Sequence, residues 1–72
     1  MILLTSAGGK TGRAMISTFS AAGEQVRAVM RRDDADAELL ALGAAEIVHA
    51  DLTDAAAIAE AANGCRAIYY IC

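Results

Sequence analysis

The chain has 72 residues, of which 57% are hydrophobic, and its lack of Pro and apolar richness exclude a disordered chain and favour one small domain. Six basic against nine acidic residues give a net charge of −3, so we expect no basic surface for nucleic acid. No apolar run approaches the ~20 residues of a membrane span, so we expect no membrane partner. Cys65 and Cys72 match no zinc or redox pattern. Without a secretion signal they indicate a reducing, cytoplasmic compartment and no metal site.

The first predicted strand is the short apolar run Ile2–Thr5, and a glycine-rich stretch follows it up to Gly12. Residues 13–22 carry apolar side chains at helical spacing and predict a helix. Gly23 follows where a left-handed residue commonly ends a helix. Strand, glycine-rich turn and helix are typical of a nucleotide pyrophosphate site. The glycines allow close approach of the phosphates, and the helix N-terminus offers free N–H groups.

The glycine-rich loop reads T-S-x-x-G-x-x-G. Gly9 lets the backbone pass beside the pyrophosphate, and Gly12 permits close packing of the helix on the strand. Ser6 stands where the usual pattern has its first glycine, and its hydroxyl can donate to a phosphate. Two alternatives are a glycine turn without a ligand and an ATP- or GTP-binding loop, which needs a glycine where Leu4 stands. The candidate cofactor-binding residues of the loop are Ser6, Gly8, Gly9, Lys10, Thr11 and Gly12.

The second predicted strand, residues 25–30, leads into Arg31 and Arg32. An NAD site usually has an acidic residue at this strand end, where it binds the ribose 2′-hydroxyl. A guanidinium there can instead pair with a 2′-phosphate, and Lys10 adds a positive charge from the facing loop. These residues predict NADP rather than NAD as the cofactor. The alternative is that the two arginines only balance the acidic residues that follow them in the same loop.

A short helix is predicted at residues 37–42, with Asp36 as its N-cap, and a third strand at residues 46–50. Asp51 and Leu52 follow this strand at the edge of the expected adenine pocket. The Asp51 carboxylate can accept from the adenine amino group, and Leu52 can lie against the ring. The alternative is that Asp51 is only a turn residue.

The last predicted helix spans residues 55–62, with Thr53 or Asp54 as its cap, and the fourth strand spans residues 67–72. His49 has no acid or nucleophile beside it in the sequence, which favours a structural role. No catalytic constellation is visible in these residues.

The element order β-α-β-α-β-α-β predicts an α/β fold with a parallel sheet of strand order 3-2-1-4, half of a doubly wound Rossmann fold. The fourth strand is apolar and would lie at an open sheet edge, which favours association. We therefore expect residues 1–72 to be the N-terminal part of a longer NAD(P)-binding domain, with the second half and the substrate region elsewhere. Otherwise they pair with another chain along strand four.

Four segments resemble, in order and spacing, the NmrA-like group of atypical short-chain dehydrogenases/reductases: T-S-A-G-G-K-T-G-R, A-V-M-R-R, A-D-L-T-D and A-N-G-C-R-A-I-Y-Y-I. This resemblance implies an N-terminal NADP-binding Rossmann domain and a smaller C-terminal substrate region. It also implies that Gly9 and Gly12 bind the pyrophosphate, Arg31 the 2′-phosphate, and Asp51 with Leu52 the adenine. The resemblance further implies a kind of activity, since many such proteins are NAD(P)H-dependent oxidoreductases that reduce quinones or similar small molecules. Others sense the dinucleotide and regulate a protein partner without chemistry.

Overall fold

A computed structural model describes residues 1–5, 7–51 and 53–69, which form a parallel sheet with helices on both faces. The strands are β1 (Ile2–Leu4), β2 (Val26–Met30), β3 (Glu46–His49) and β4 (Ala67–Tyr69). The helices are α1 (Lys10–Ala21), α2 (Asp36–Leu42) and α3 (Ala55–Ala61). The strand order is β3-β2-β1-β4 and every pair is parallel, which confirms the predicted α/β fold and its order. Within these ranges no helix has the length and hydropathy needed to cross a bilayer.

Two apolar clusters cover the two faces of the sheet, because successive strand residues point to opposite sides. Leu4 of β1 packs with Ile16 of α1 and Leu39 of α2. Leu3, its neighbour, packs on the other face with Val29 and Ala61, which belongs to α3. Helices α1 and α2 therefore share one face of the sheet, and α3 crosses the opposite face.

Helix α1 begins at Lys10, three residues before the predicted start at Arg13. Gly9 is its N-cap, and Gly12 lies in its first turn. A Cβ atom on Gly12 would lie 2.7 Å from the Ala7 Cα atom, so the helix approaches the preceding loop more closely than a side chain would allow. The prediction failed because glycine has a low helix propensity. Here close packing, and not propensity, decides where the helix begins.

The predicted helix caps are confirmed in part. Gly23 has φ of +82°, the left-handed conformation expected after α1. Asp54 caps α3, since its Oδ1 accepts a hydrogen bond from the Ala57 backbone N–H at 3.1 Å. The cap predicted at Asp36 is wrong: Ala35 holds that position, and Asp36 is the first residue of α2. The Asp36 carboxylate instead lies 2.9 Å from Nε2 of His49, the residue predicted to have a structural role.

Arg27 of β2 reaches across the face of the sheet that α3 covers. Its Nη1 donates to the carbonyl oxygens of Ala61 at 2.5 Å and Asn63 at 2.9 Å. Its Nε donates to the carboxylate of Glu46 on β3. A cation at this place suits a helix C-terminus, where carbonyl groups lack intrahelical partners and carry partial negative charge.

Candidate functional site

The glycine-rich loop leaves the carboxyl end of β1, between β2 and β4. The chain moves outward from β1 to β3 and then crosses back to β4 through α3, so the connections on the two sides of β1 diverge. Ligands of open parallel sheets bind in the crevice outside the strand ends at such a divergence. The loops after β2 and β3 end at this same edge because all the strands are parallel.

Thr5 fixes the start of the glycine-rich loop. Its backbone N–H donates to the carbonyl oxygen of Tyr69 at 3.1 Å, and its hydroxyl donates to the same oxygen at 3.3 Å. Thr5 is fully buried, so both of its donors lie away from solvent. The loop therefore begins from a fixed position between the ends of β1 and β4. Thr5 was predicted at the end of the first strand, but its contact with Tyr69 was not predicted.

The N-terminus of α1 is the electropositive part of the site. Gly9 provides no side-chain cap, and the first helical turn contains no acidic residue. The first N–H groups of a helix have no partner within the helix, and the helix dipole gives this end a partial positive charge. Lys10 and Thr11 are exposed in this turn, so the ammonium and hydroxyl groups are accessible beside the backbone donors.

Gly8 lies beside Met30 at the end of β2 and accepts a hydrogen bond from Arg13 of α1. A Cβ atom on Gly8 would lie 2.7 Å from the terminal methyl of Met30. The Gly8 carbonyl oxygen accepts a hydrogen bond from Nε of Arg13 at 2.9 Å, and Nη1 of Arg13 pairs with the carboxylate of Glu38 on α2. Met30 and Arg13 are not among the predicted binding residues. The only signal in the sequence was the position of Arg13, one helical turn after Gly9.

Asp51 lies in the turn after β3, at the same sheet edge where Arg31 follows β2. Oδ1 of Asp51 accepts hydrogen bonds from the backbone N–H of Thr53 at 2.9 Å and from its hydroxyl at 2.8 Å. These two bonds lower the pKa of Asp51 below its usual value, and the charge of Arg31 lowers it further. Asp51 therefore has the turn role that was its alternative interpretation, and its adenine contact stays a prediction.

Of the remaining predicted binding residues, two are exposed and two lie outside the residues that the structure describes. Arg31 and Arg32 are both exposed in the loop after β2, on the same sheet edge as the glycine-rich loop. Ser6 and Leu52 lie outside the described residues. The structure therefore brings Gly8, Gly9 and the first turn of α1 to one edge of the sheet with the two arginines.

A concavity with a volume of about 560 Å³ runs along β3, between β3 and α3. Of the predicted binding residues that the structure describes, none lines it. Its lining residues are Arg27, Glu46, Ile47, Val48, His49, Ala50, Ala57, Glu60, Ala61 and Asn63. Among the residues that the structure describes, no group of three or more His, Cys, Asp and Glu side chains could hold a metal ion.

Comparison with known proteins agrees with this geometry. Residues 6–72 match a family model described as NAD(P)H-binding. A Bacillus halodurans structure, described as an NAD-dependent epimerase/dehydratase, superposes with a TM-score of 0.86 at 28% identity, over 96% of this chain and 31% of that one. The yhdH oxidoreductase of Salmonella enterica, solved in complex with NADP, gives a TM-score of 0.65 at 31% identity, over 67% of this chain and 15% of that one. No curated protein matches. The chain thus spans less than a third of either structure.

Proposed function

The chain belongs to the NAD(P)H-binding family, and from this membership we propose that it binds NADP(H) at the carboxyl edge of its sheet. Residues 1–72 would form the first half of the binding domain of an NmrA-like oxidoreductase. The glycine-rich loop and the first turn of α1 hold the pyrophosphate, Arg31 and Arg32 meet the 2′-phosphate, and Asp51 with Leu52 borders the adenine.

The observation that carries this proposal is the juxtaposition of the α1 N-terminus with the arginine loop. The first turn of α1 has no acidic side chain to neutralise its N–H groups, and Lys10 is exposed within it. The absence of a side chain at Gly12 lets this helix end sit against Ala7. A dinucleotide phosphate needs such a concentration of donors and positive charge, so these residues fit the group.

The preference for NADP depends on Arg31. Arg31 directly follows the end of β2 and is exposed at the sheet edge that also carries the turn after β3. The 2′-phosphate of NADP is the group that distinguishes it from NAD at this end of the cofactor. Guanidinium groups bind phosphate through paired, charge-assisted hydrogen bonds.

Calorimetric titration tests the preference. The protein is expected to bind NADP more tightly than NAD, and Arg31→Ala should narrow the difference by about 1–3 kcal/mol through the loss of a charge-assisted pair. Arg32→Ala tests the neighbouring arginine. Arg66→Ala is the matched control, since Arg66 pairs with Glu24 before β2 and β4, at the opposite edge of the sheet. Equal affinity of the parent protein for the two cofactors would remove the case for Arg31.

The chemistry that we propose is reduction of a quinone or a similar small molecule. Bound NADPH supplies hydride in such reactions. The described residues bind and orient the cofactor: the loop and α1 fix the phosphates, and the turn after β3 borders the adenosine end. Oxidation of NADPH by the full-length protein with a panel of quinones tests this activity. Turnover supports a reductase, whereas tight binding without turnover would favour a dinucleotide sensor that regulates a protein partner.

A further inference from the structure

We propose that Arg13 is a positioning residue that sets the direction of the phosphate-binding N–H groups in the glycine-rich loop. This inference rests on the dinucleotide site proposed above. Its basis is one side chain that contacts two separate elements: Nε donates to the Gly8 carbonyl oxygen at 2.9 Å, and Nη1 pairs with Glu38 of α2. We call this arrangement the Arg13–Glu38 clip.

The contact with Gly8 fixes a peptide plane. The described part of the chain contains no cis peptide bond, so the Gly8 carbonyl and the Gly9 N–H lie in one rigid plane and point in opposite directions. A hydrogen bond that holds the carbonyl therefore also holds the direction of the Gly9 N–H. Gly9 is the N-cap of α1, and its N–H belongs to the set of donors that the helix end offers to an anion.

Glycine makes this constraint necessary. Gly8 and Gly9 are consecutive, and glycine explores more backbone conformations than any other residue. Gly9 has φ of −75° and ψ of 171°, values that the sequence alone does not impose on glycine. The Arg13–Glu38 clip restricts this freedom before a ligand arrives, which reduces the conformational cost of binding.

Exposure separates this role from a purely structural one. The side chain of Arg13 is 37% exposed and that of Glu38 is 62% exposed. Exposed ion pairs contribute little to folding stability. The clip is therefore expected to affect cofactor affinity much more than the melting temperature.

The chemistry of the cofactor gives a sharper test. The pyrophosphate is common to NAD and NADP, whereas the 2′-phosphate is found only in NADP. If Arg13 acts through the loop, Arg13→Ala should weaken the binding of both cofactors by the same factor, about tenfold. If Arg13 instead contacts the 2′-phosphate, the loss will be larger for NADP than for NAD, which would overturn the proposal.

Two further variants separate geometry from charge. Arg13→Lys keeps the positive charge. A lysine, however, carries all its donors on one nitrogen, so it lacks the separate Nε and Nη1 donors that contact Gly8 and Glu38. This variant is therefore expected to bind both cofactors as weakly as Arg13→Ala. Recovery of affinity by lysine would mean that charge alone matters and would overturn the proposal. Glu38→Gln should also weaken the binding of both cofactors. The double variant, Arg13→Ala with Glu38→Gln, should bind the cofactors no more weakly than Arg13→Ala alone.

The control is Arg66→Gln, which breaks an ion pair of the same kind away from the glycine-rich loop. In that pair, Nη2 of Arg66 lies 2.5 Å from Oε2 of Glu24. This control variant should leave both affinities unchanged. If Arg13→Ala and the parent protein bind both cofactors equally well, the positioning role is wrong while the dinucleotide site stands. If the parent protein binds neither cofactor, the proposed function fails and this inference fails with it.

Discussion

Asp51 is a binding candidate that also has a local structural task. Its Oδ1 accepts both hydrogen bonds from Thr53, and these hold the turn that follows β3. A carboxylate has lone pairs on two oxygens, so these bonds leave acceptor capacity on the same group. The turn role and the proposed adenine contact are therefore compatible.

The lowered pKa of Asp51 predicts a dependence of stability on pH. The backbone N–H and then the hydroxyl of Thr53 favour the charged form in the folded protein, and Arg31 adds to this effect. A carboxyl group with a lower pKa in the folded state stabilises the fold above its unfolded-state pKa, about pH 4. That contribution is lost as the pH falls through the folded value.

Urea unfolding of the parent protein and of Asp51→Asn at pH 7 and pH 3 measures this loss. The parent should lose more stability on acidification than Asp51→Asn, whose amide does not titrate in this range. Thr53→Val removes only the hydroxyl donor and should give an intermediate loss. Identical losses in the parent and Asp51→Asn would contradict the prediction.

Single residues were predictable where the cause is local in sequence. Asp54 caps a helix three residues ahead, and Gly23 directly follows one, so adjacent residues carry the signal. The partners of Arg13 and His49 lie 25 and 13 residues away. Such pairs depend on how the elements pack, and one sequence contains no record of that packing.

At the scale of elements, the contact of α1 with the loop before it depends on Gly12. A Cβ atom there would lie 2.7–2.9 Å from backbone atoms of Ala7. Gly8 differs, since its added Cβ would meet the flexible end of the Met30 side chain. Two glycines of one loop thus have different tolerance for a methyl group.

Gly12→Ala should lower the free energy of unfolding by about 1–3 kcal/mol, because backbone must move to accept the methyl group. This expected decrease is the net effect, after the stabilisation of about 1 kcal/mol that the higher helix propensity of alanine contributes. Gly8→Ala should cost less, below about 1 kcal/mol, since the Met30 side chain can rotate. Urea unfolding measures both variants. A larger loss for Gly8→Ala than for Gly12→Ala would contradict this account.

The order and type of the elements followed from apolar runs separated by Gly, Asn and Asp, and the structure confirms them. The beginning of α1 did not follow, because a rule based on propensity treats Lys10–Gly12 as loop. In the folded chain these residues form the first helical turn, which is the part that faces the proposed ligand. The error therefore falls on the functional end of the helix.

At the scale of the whole molecule, β4 is one of the two edge strands of the described sheet. It pairs with β1 through residues 67–69, and Ile68 and Tyr69 are 53% and 42% exposed. An accessible apolar strand edge is a template for pairing with another strand. It therefore stays a prediction that residues 1–72 either continue into a longer chain or pair with another chain along strand four.

Sedimentation velocity of a polypeptide limited to residues 1–72 tests this expectation. It should self-associate as its concentration rises, and Ile68→Lys should weaken the association, since a charged edge disfavours strand pairing. Leu40→Lys is the control, because Leu40 is similarly exposed at 50% but lies on α2. A monomeric, cooperatively folding parent polypeptide would contradict the prediction.

Arg27 joins β2, one of the two interior strands of the sheet, to the C-terminal end of α3 and the residues directly after it. Helix α3 has only seven residues, a length at which an isolated helix is marginal in water. Unravelling of its end must first detach carbonyl groups from a guanidinium anchored on β2. The amide protons of α3 should consequently exchange with solvent deuterium together with those of β2, as one cooperative unit.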